Sequence, residues 1–257
     1  MMRPASLLTL VLLAACSSTG DRSSLGTAPR SGDDDDDDAV KVASDAGSTL
    51  APEAGADAGP ISSATCKIGG LTLCFAFDGA VTDGSPNGIK PKIANITFAP
   101  GKDGQAASFG PASQMTFDPN QAFDLPADAA TLEAWVKRQS TGADAVVFDD
   151  DGRFSLTLSA VGKVICASSG GAVTSTSEVA VEDWTHVACV IDKGKIRVYV
   201  NGKKEGEGDG AIAKNPTLGA ALGQNAPTGS PYYGLIDSFR LMFLARPEAD
   251  IAADAAR

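Results

Sequence analysis

The chain has 257 residues and a formal net charge of −11, with 32 acidic residues, 21 basic residues, one histidine and five cysteines. Residues 17–64 hold ten acidic and three basic residues, and residues 65–257 hold 22 and 17. A mildly acidic domain with no basic stripe excludes nucleic acid as a partner, because a polyanion is bound largely through clustered Lys and Arg.

Taken in order, residues 1–15 place Arg3 ahead of an apolar run from Leu7 to Leu13 and then small residues, which is the pattern of a secretory signal. The run is too short to span a membrane, which takes about 20 apolar residues. Leu13-Ala14-Ala15-Cys16 resembles the lipobox of bacterial lipoproteins, in which the leader is cut before the cysteine and that cysteine carries the lipid. The resemblance implies lipidation at Cys16 and a membrane anchor there, stable because several acyl chains hold where a single one binds marginally. Ser17 after the cysteine matches outer-membrane sorting in lipoproteins of the enteric type, so the expected location is the outer membrane of a bacterial envelope. Residues 16–64 are rich in Ala, Gly, Ser, Asp and Pro and include six successive aspartates, Asp33 to Asp38. Such a stretch buries too little apolar surface to offset chain entropy, which predicts a disordered linker. The aspartate run reads as a solvated, self-repelling spacer rather than a metal tract. As a coil the linker spans about 40 Å.

Residues 65–257 read as one folded domain, all-β. Cys66 and Cys74 flank Gly69-Gly70, and a short loop there sets them opposite each other. Cys166 and Cys189 lie in KVICA and THVACVI, each in phase with apolar neighbours, where they can bridge adjacent strands. In an exported chain these four predict two disulfides, Cys66 with Cys74 and Cys166 with Cys189, although four cysteines permit three connectivities. FAFDG follows Cys74, and then comes a polar loop from Thr82 to Gly88. In TLEAWVKR, Leu132, Ala134 and Val136 alternate with Thr131, Glu133 and Trp135, the period of a strand with one buried face. AVVF, RFSLTLS, KVICA and AVTST are further strands ended by Gly or Asp turns. The stretch WTHVACVIDKGKIRVYVNG is a hairpin closed by Asp192-Lys193-Gly194-Lys195 and followed by a second tight turn at Asn201-Gly202. YYGLIDSFRLMF is a last strand, and the tail after Pro247 reads as a helix with Pro at its first turn.

FAFDG, GKDGQAASF, TLEAWVKR, WTHVACVIDKGKIRVYVNGK and YGLIDSFRLM occur in the order found in concanavalin A-like, laminin G-like domains, which the chain resembles from about Leu71 to its end. The resemblance implies a jelly-roll sandwich of two antiparallel sheets. It also implies a structural calcium ion between Asp237 and the first strand region, at Asp78 and the Gly79 carbonyl; the alternative is a hydrogen-bonded aspartate, since a carboxylate among apolar residues needs a partner. Asp149-Asp150-Asp151-Gly152 reads as a hairpin turn rather than a metal loop. Tyr232 and Tyr233, after Gly229-Ser230-Pro231, are candidates to stack on a sugar. The single histidine, His186, reads as a packing residue, and Glu178 and Glu182 lack the spacing of a glycosidase carboxylate pair. The expected function is therefore a non-catalytic binding or adhesion module held at the membrane through Cys16 and recognising a glycan or a surface protein. A polysaccharide-active enzyme and a purely structural envelope protein are the alternatives.

Overall fold

The structure, a computed structural model, describes residues 64–214 and 219–257. The leader, Cys16 and the linker up to residue 63 lie outside the described residues.

The described strands are, in chain order, β1 (Leu71–Phe75), β2 (Lys92–Ala94), β3 (Thr97–Pro100), β4 (Gln105–Phe109), β5 (Gln114–Phe117), β6 (Ala129–Arg138), β7 (Ala145–Asp149), β8 (Phe154–Leu158), β9 (Lys163–Ser168), β10 (Gly171–Glu178), β11 (Thr185–Asp192), β12 (Lys195–Val200), β13 (Lys203–Asp209), β14 (Ala220–Leu222) and β15 (Gly234–Met242). Helix α1 (Glu248–Ala255) follows. They form two antiparallel sheets. One runs β13-β12-β11-β6-β15-β4-β3 with β1 added beside β15, and the other runs β10-β9-β8-β7-β14-β5-β2. The inward halves of the alternating strands, among them Leu132, Val136, Val187, Ile191, Phe148, Phe154, Phe239 and Leu241, make one core between the sheets.

The hairpin forms as its turns dictate. Asp192 pairs with Lys195 across Lys193-Gly194, whose φ angles are 50° and 80°. Val200 pairs with Lys203 across Asn201-Gly202, at 47° and 77°. Two-residue loops with both central residues at positive φ carry the twist of the flanking strands, so the chain reverses without splaying them.

Both predicted disulfides are present. Cys166 and Cys189, however, join β9 to β11 and so tie one sheet to the other rather than adjacent strands of one sheet. Their Cα atoms are 5.5 Å apart, about half the usual separation of stacked sheets, so the sandwich is pinched there. Small residues permit the pinch: a Cβ on Gly206 of β13 would stand 2.7 Å from Val173 Cγ2 of β10 in the facing sheet. Cys66 also differs from the expectation of two cysteines set opposite each other across a short loop. It ends a 3-10 turn, Ala64–Cys66, while Leu71 already belongs to β1.

Strand β15 changes partner along its length. Gly234 to Ile236 pair with β4, and Phe239 to Met242 pair with β1, while β6 runs along the other side. The register slips between Asp237 and Arg240, where Ser238 has φ 51°. At the point of exchange Asp237 and Ser238 pair with neither β4 nor β1, although Asp237 still stands opposite Trp135 of β6, and there the loop joining β3 to β4 closes over the sheet.

Candidate functional site

Register places the polar residues of the eight-stranded sheet in rows on its outer face. Glu133 of β6 stands opposite Arg240 of β15 on one side and Ala188 of β11 on the other, and Trp135 stands opposite Asp237 and His186. Alternation predicts a wet face here, yet Glu133, Arg240 and His186 are all buried and Trp135 is only 8% exposed. The cover comes from the tail. Ile251 of α1 packs on Ala188, Val190 and Tyr199, and this brings Asp254 over the sheet.

A buried ionic cluster results. Arg240 Nε lies 2.8 Å from Glu133 Oε1, Arg246 Nη1 donates to the same oxygen at 2.6 Å, and Arg240 and Arg246 both donate to Asp254 Oδ2. Arg257 donates to Asp254 Oδ1. Burial raises the carboxyl of Glu133 above its ordinary range in spite of Arg240 and Arg246. Burial also works to raise Asp254, but the neighbouring arginines outweigh it and hold that carboxyl below its usual value. His186 meets Trp135 edge-on and lies 3.9 Å from Glu133 Oε2; burial, with Arg240 adding, pushes it down to about 3. A ring that is neutral throughout the physiological range and 1% exposed reaches no substrate, so His186 packs as expected. Glu178 and Glu182 are both exposed, and Glu182 pairs with Lys137 at 3.5 Å.

Beside this cluster is a cavity of about 250 Å³ lined by Thr65, Lys102, Asp103, Trp135, Ser238, Arg240, Asp254 and Arg257. Lys102 Nζ stands 4.3 Å above the Trp135 ring, a cation–π contact. Sequence reading missed this group. Its signal was present in Glu133 and Trp135, large or charged residues in the outward phase of a strand whose inward phase is apolar, but the covering tail was not read with them.

Asp237 positions that cavity's edge. Its Oδ2 accepts the backbone N–H of Lys102 at 2.8 Å and of Asp103 at 3.0 Å, and its Oδ1 accepts the Ser238 hydroxyl at 3.3 Å. Asp78 Oδ1 accepts the N–H of Gln105 at 3.2 Å, where the β3–β4 loop enters β4. The chain thus brings Asp78 and Asp237 to one turn, as the resemblance implies, but through N–H donors. As placed, Asp78 and Asp237 each accept backbone N–H groups, which is the hydrogen-bonded aspartate arrangement.

The tyrosine pair divides. Tyr232 is fully buried, edge-on to Phe109, and donates its hydroxyl to the Leu235 carbonyl at 3.2 Å, so it is a core residue and not a sugar platform. Its place two residues before Gly234, the first paired residue of β15, puts it in phase with the inward-facing Ile236. Tyr233 is partly exposed.

A second cavity, about 350 Å³, opens at the end of the seven-stranded sheet, with Thr116, Phe117, Asp118, Pro119, Asp151, Ala226 and Pro227 in its wall. Asp149 builds it by accepting the N–H of Gly152 at 2.9 Å through one oxygen and of Ala226 at 3.0 Å through the other, which fixes the β7–β8 turn against the loop before β15. Asp150 turns inward onto Arg153. The three successive aspartates therefore serve a turn, as read from sequence, and only Asp151 is left facing the cavity.

No curated protein matches the chain in sequence. Among solved structures, domain 4 of AbnA, a GH43 extracellular arabinanase from Geobacillus stearothermophilus, in complex with arabinotriose, is similar at 23% identity and TM-score 0.60 over 73% of this chain and 98% of that one. The binding domain of Paraclostridial Mosquitocidal Protein 1 is similar at 14% identity and TM-score 0.59, over 74% and 52%. The binding domain of Botulinum Neurotoxin DC in complex with SialylT follows at 11% and 0.56, over 73% and 51%. The chain thus spans about half of each toxin binding domain, and at these identities the likeness is one of fold. A family model described as the concanavalin A-like lectin/glucanases superfamily matches residues 109–252, more than half of the 257 residues, and the protein is a member of that superfamily.

Proposed function

We propose that the protein is a non-catalytic glycan-binding module, held at a bacterial envelope by lipid on Cys16 and displayed on the acidic linker of residues 16–64. The observation that carries the glycan reading is the rim cavity. There the carboxylates of Asp118 and Asp151 stand beside the rings of Pro119 and Pro227 in a space of about 350 Å³. A sugar presents hydroxyl donors at its edge and C–H groups on its face, so a wall of acceptors and apolar rings matches both, and the volume is at the low end of the roughly 300–1,000 Å³ of small-ligand sites. The likeness to a domain solved with arabinotriose and to a toxin domain solved with SialylT supports the same class of ligand.

A glycan array probed with the full-length chain, together with a reducing-sugar release assay, tests the proposal. Binding without release is expected, weakened about tenfold by Asp118→Ala, which removes a charged hydrogen-bond acceptor. Release abolished by changing one carboxylate would make the protein an enzyme instead, and silence in both assays would leave a structural envelope protein.

A further inference from the structure

The cavity beside Trp135 has an unbalanced donor set. Arg240 is 3% exposed, its Nε and Nη2 face Glu133 and Asp254, and its Nη1 meets no acceptor in the protein. A buried guanidinium N–H without an acceptor costs on the order of 1–3 kcal/mol, so an acceptor brought into the cavity that Arg240 lines, with a small shift of its side chain, is favoured. Lys102, exposed on the cavity's edge, rests over Trp135. Among the residues that line the cavity, three cations, Lys102, Arg240 and Arg257, face two carboxylates, Asp103 and Asp254. Both oxygens of Asp254 are already taken by arginines.

We propose that this cavity binds an acidic monosaccharide unit, a hexuronic acid, with its carboxylate drawn to Arg240 and Lys102 and its ring against Trp135. The sugar class rests on the glycan-binding reading; the negative charge rests on the cavity alone. One surplus cation suits a single negative charge, whereas a phosphate dianion would meet repulsion from Asp103, Asp254 and Glu133. The hydroxyls of Thr65 and Ser238, 3.1 Å from each other, and the carboxylate of Asp103 supply partners for sugar hydroxyls. At about 250 Å³ the space falls below that of drug-sized ligands and takes one sugar rather than a chain.

The chain has two tryptophans, so Trp184→Phe in the full-length protein leaves Trp135 as the only indole reporter. Titration with glucuronic acid is expected to give a saturable change in its fluorescence, with no comparable change on titration with glucose. Lys102→Met should weaken that response about tenfold, as loss of a charge-assisted contact does. An equal response to glucose, an equal or stronger response to inorganic phosphate, or no response to glucuronic acid would each overturn the assignment. Neutral-glycan binding at the rim, read by its sensitivity to Asp118→Ala, does not involve Trp135. Loss of the fluorescence response with that binding intact therefore overturns the cavity alone.

Discussion

Asp237 has no exposed surface, and two backbone N–H groups of the β3–β4 loop depend on it. Asp237→Ala leaves both donors without an acceptor, so a loss of about 2–4 kcal/mol is expected in urea unfolding. Asp237→Asn, which keeps an oxygen, should lose less. Burial lifts this carboxyl from 3.8 to about 6 against the pull of the Asp103 and Lys102 amides. Between about pH 4 and pH 6 the folded protein then holds a proton that the unfolded chain has released. Stability should therefore fall as pH rises through that window and level off above it, by up to about 3 kcal/mol. The asparagine variant lacks this slope; an identical slope in both proteins would remove Asp237 as its source. The same pair of proteins tests the metal. A rise in melting temperature on adding calcium after chelation, abolished in Asp237→Asn, would make Asp237 a calcium ligand, because a ligand bound only by the native state must stabilise it.

Strands β11 and β12 and the turns that end them were legible because their information is local: alternating apolar residues fix the buried face, and Gly194 and Gly202 accept the positive φ that a two-residue loop requires. The disulfide partners were legible for the same reason, but not the span of the second bridge. Whether two strands face each other or lie side by side depends on the order of strands in the sheets, which no local pattern carries. That bridge closes a loop over a sequence separation of 23, and it pins the sheets where Gly206 lets them approach. Replacing Cys166 and Cys189 together by Ala should cost about 3.5 kcal/mol by the loop-closure relation, seen as a lower urea midpoint. A double variant as stable as the parent would assign the pinch to glycine packing alone. The polar cavity was the least legible element, because Glu133 is covered by a tail more than a hundred residues later, whose α1 docks on Ala188, Val190 and Tyr199, and Trp135 lies under Lys102 of the β3–β4 loop. Tyr232 misled for a related reason: its neighbourhood in sequence is a loop, but its ring falls within the core beside Phe109.

At the scale of the whole molecule the sequence implies attachment at one end, and that is open to a direct check. Cys16→Ser should abolish incorporation of radiolabelled palmitate and leave an uncleaved precursor or a soluble form; equal labelling of parent and variant would refute the lipid anchor. The folded part has a matching feature at the point where the chain enters it. Cys66 and Cys74 are joined, and Cys74 lies inside the ladder that β1 makes with β15, opposite Arg240. Tension arriving from the preceding chain is thus shunted past the loop between the two cysteines and loaded onto the middle of a hydrogen-bonded strand. With the bond intact, β1 must give way as a unit; with the bond reduced, it can peel from its first residue, so the redox state of one short loop sets how the domain resists being pulled.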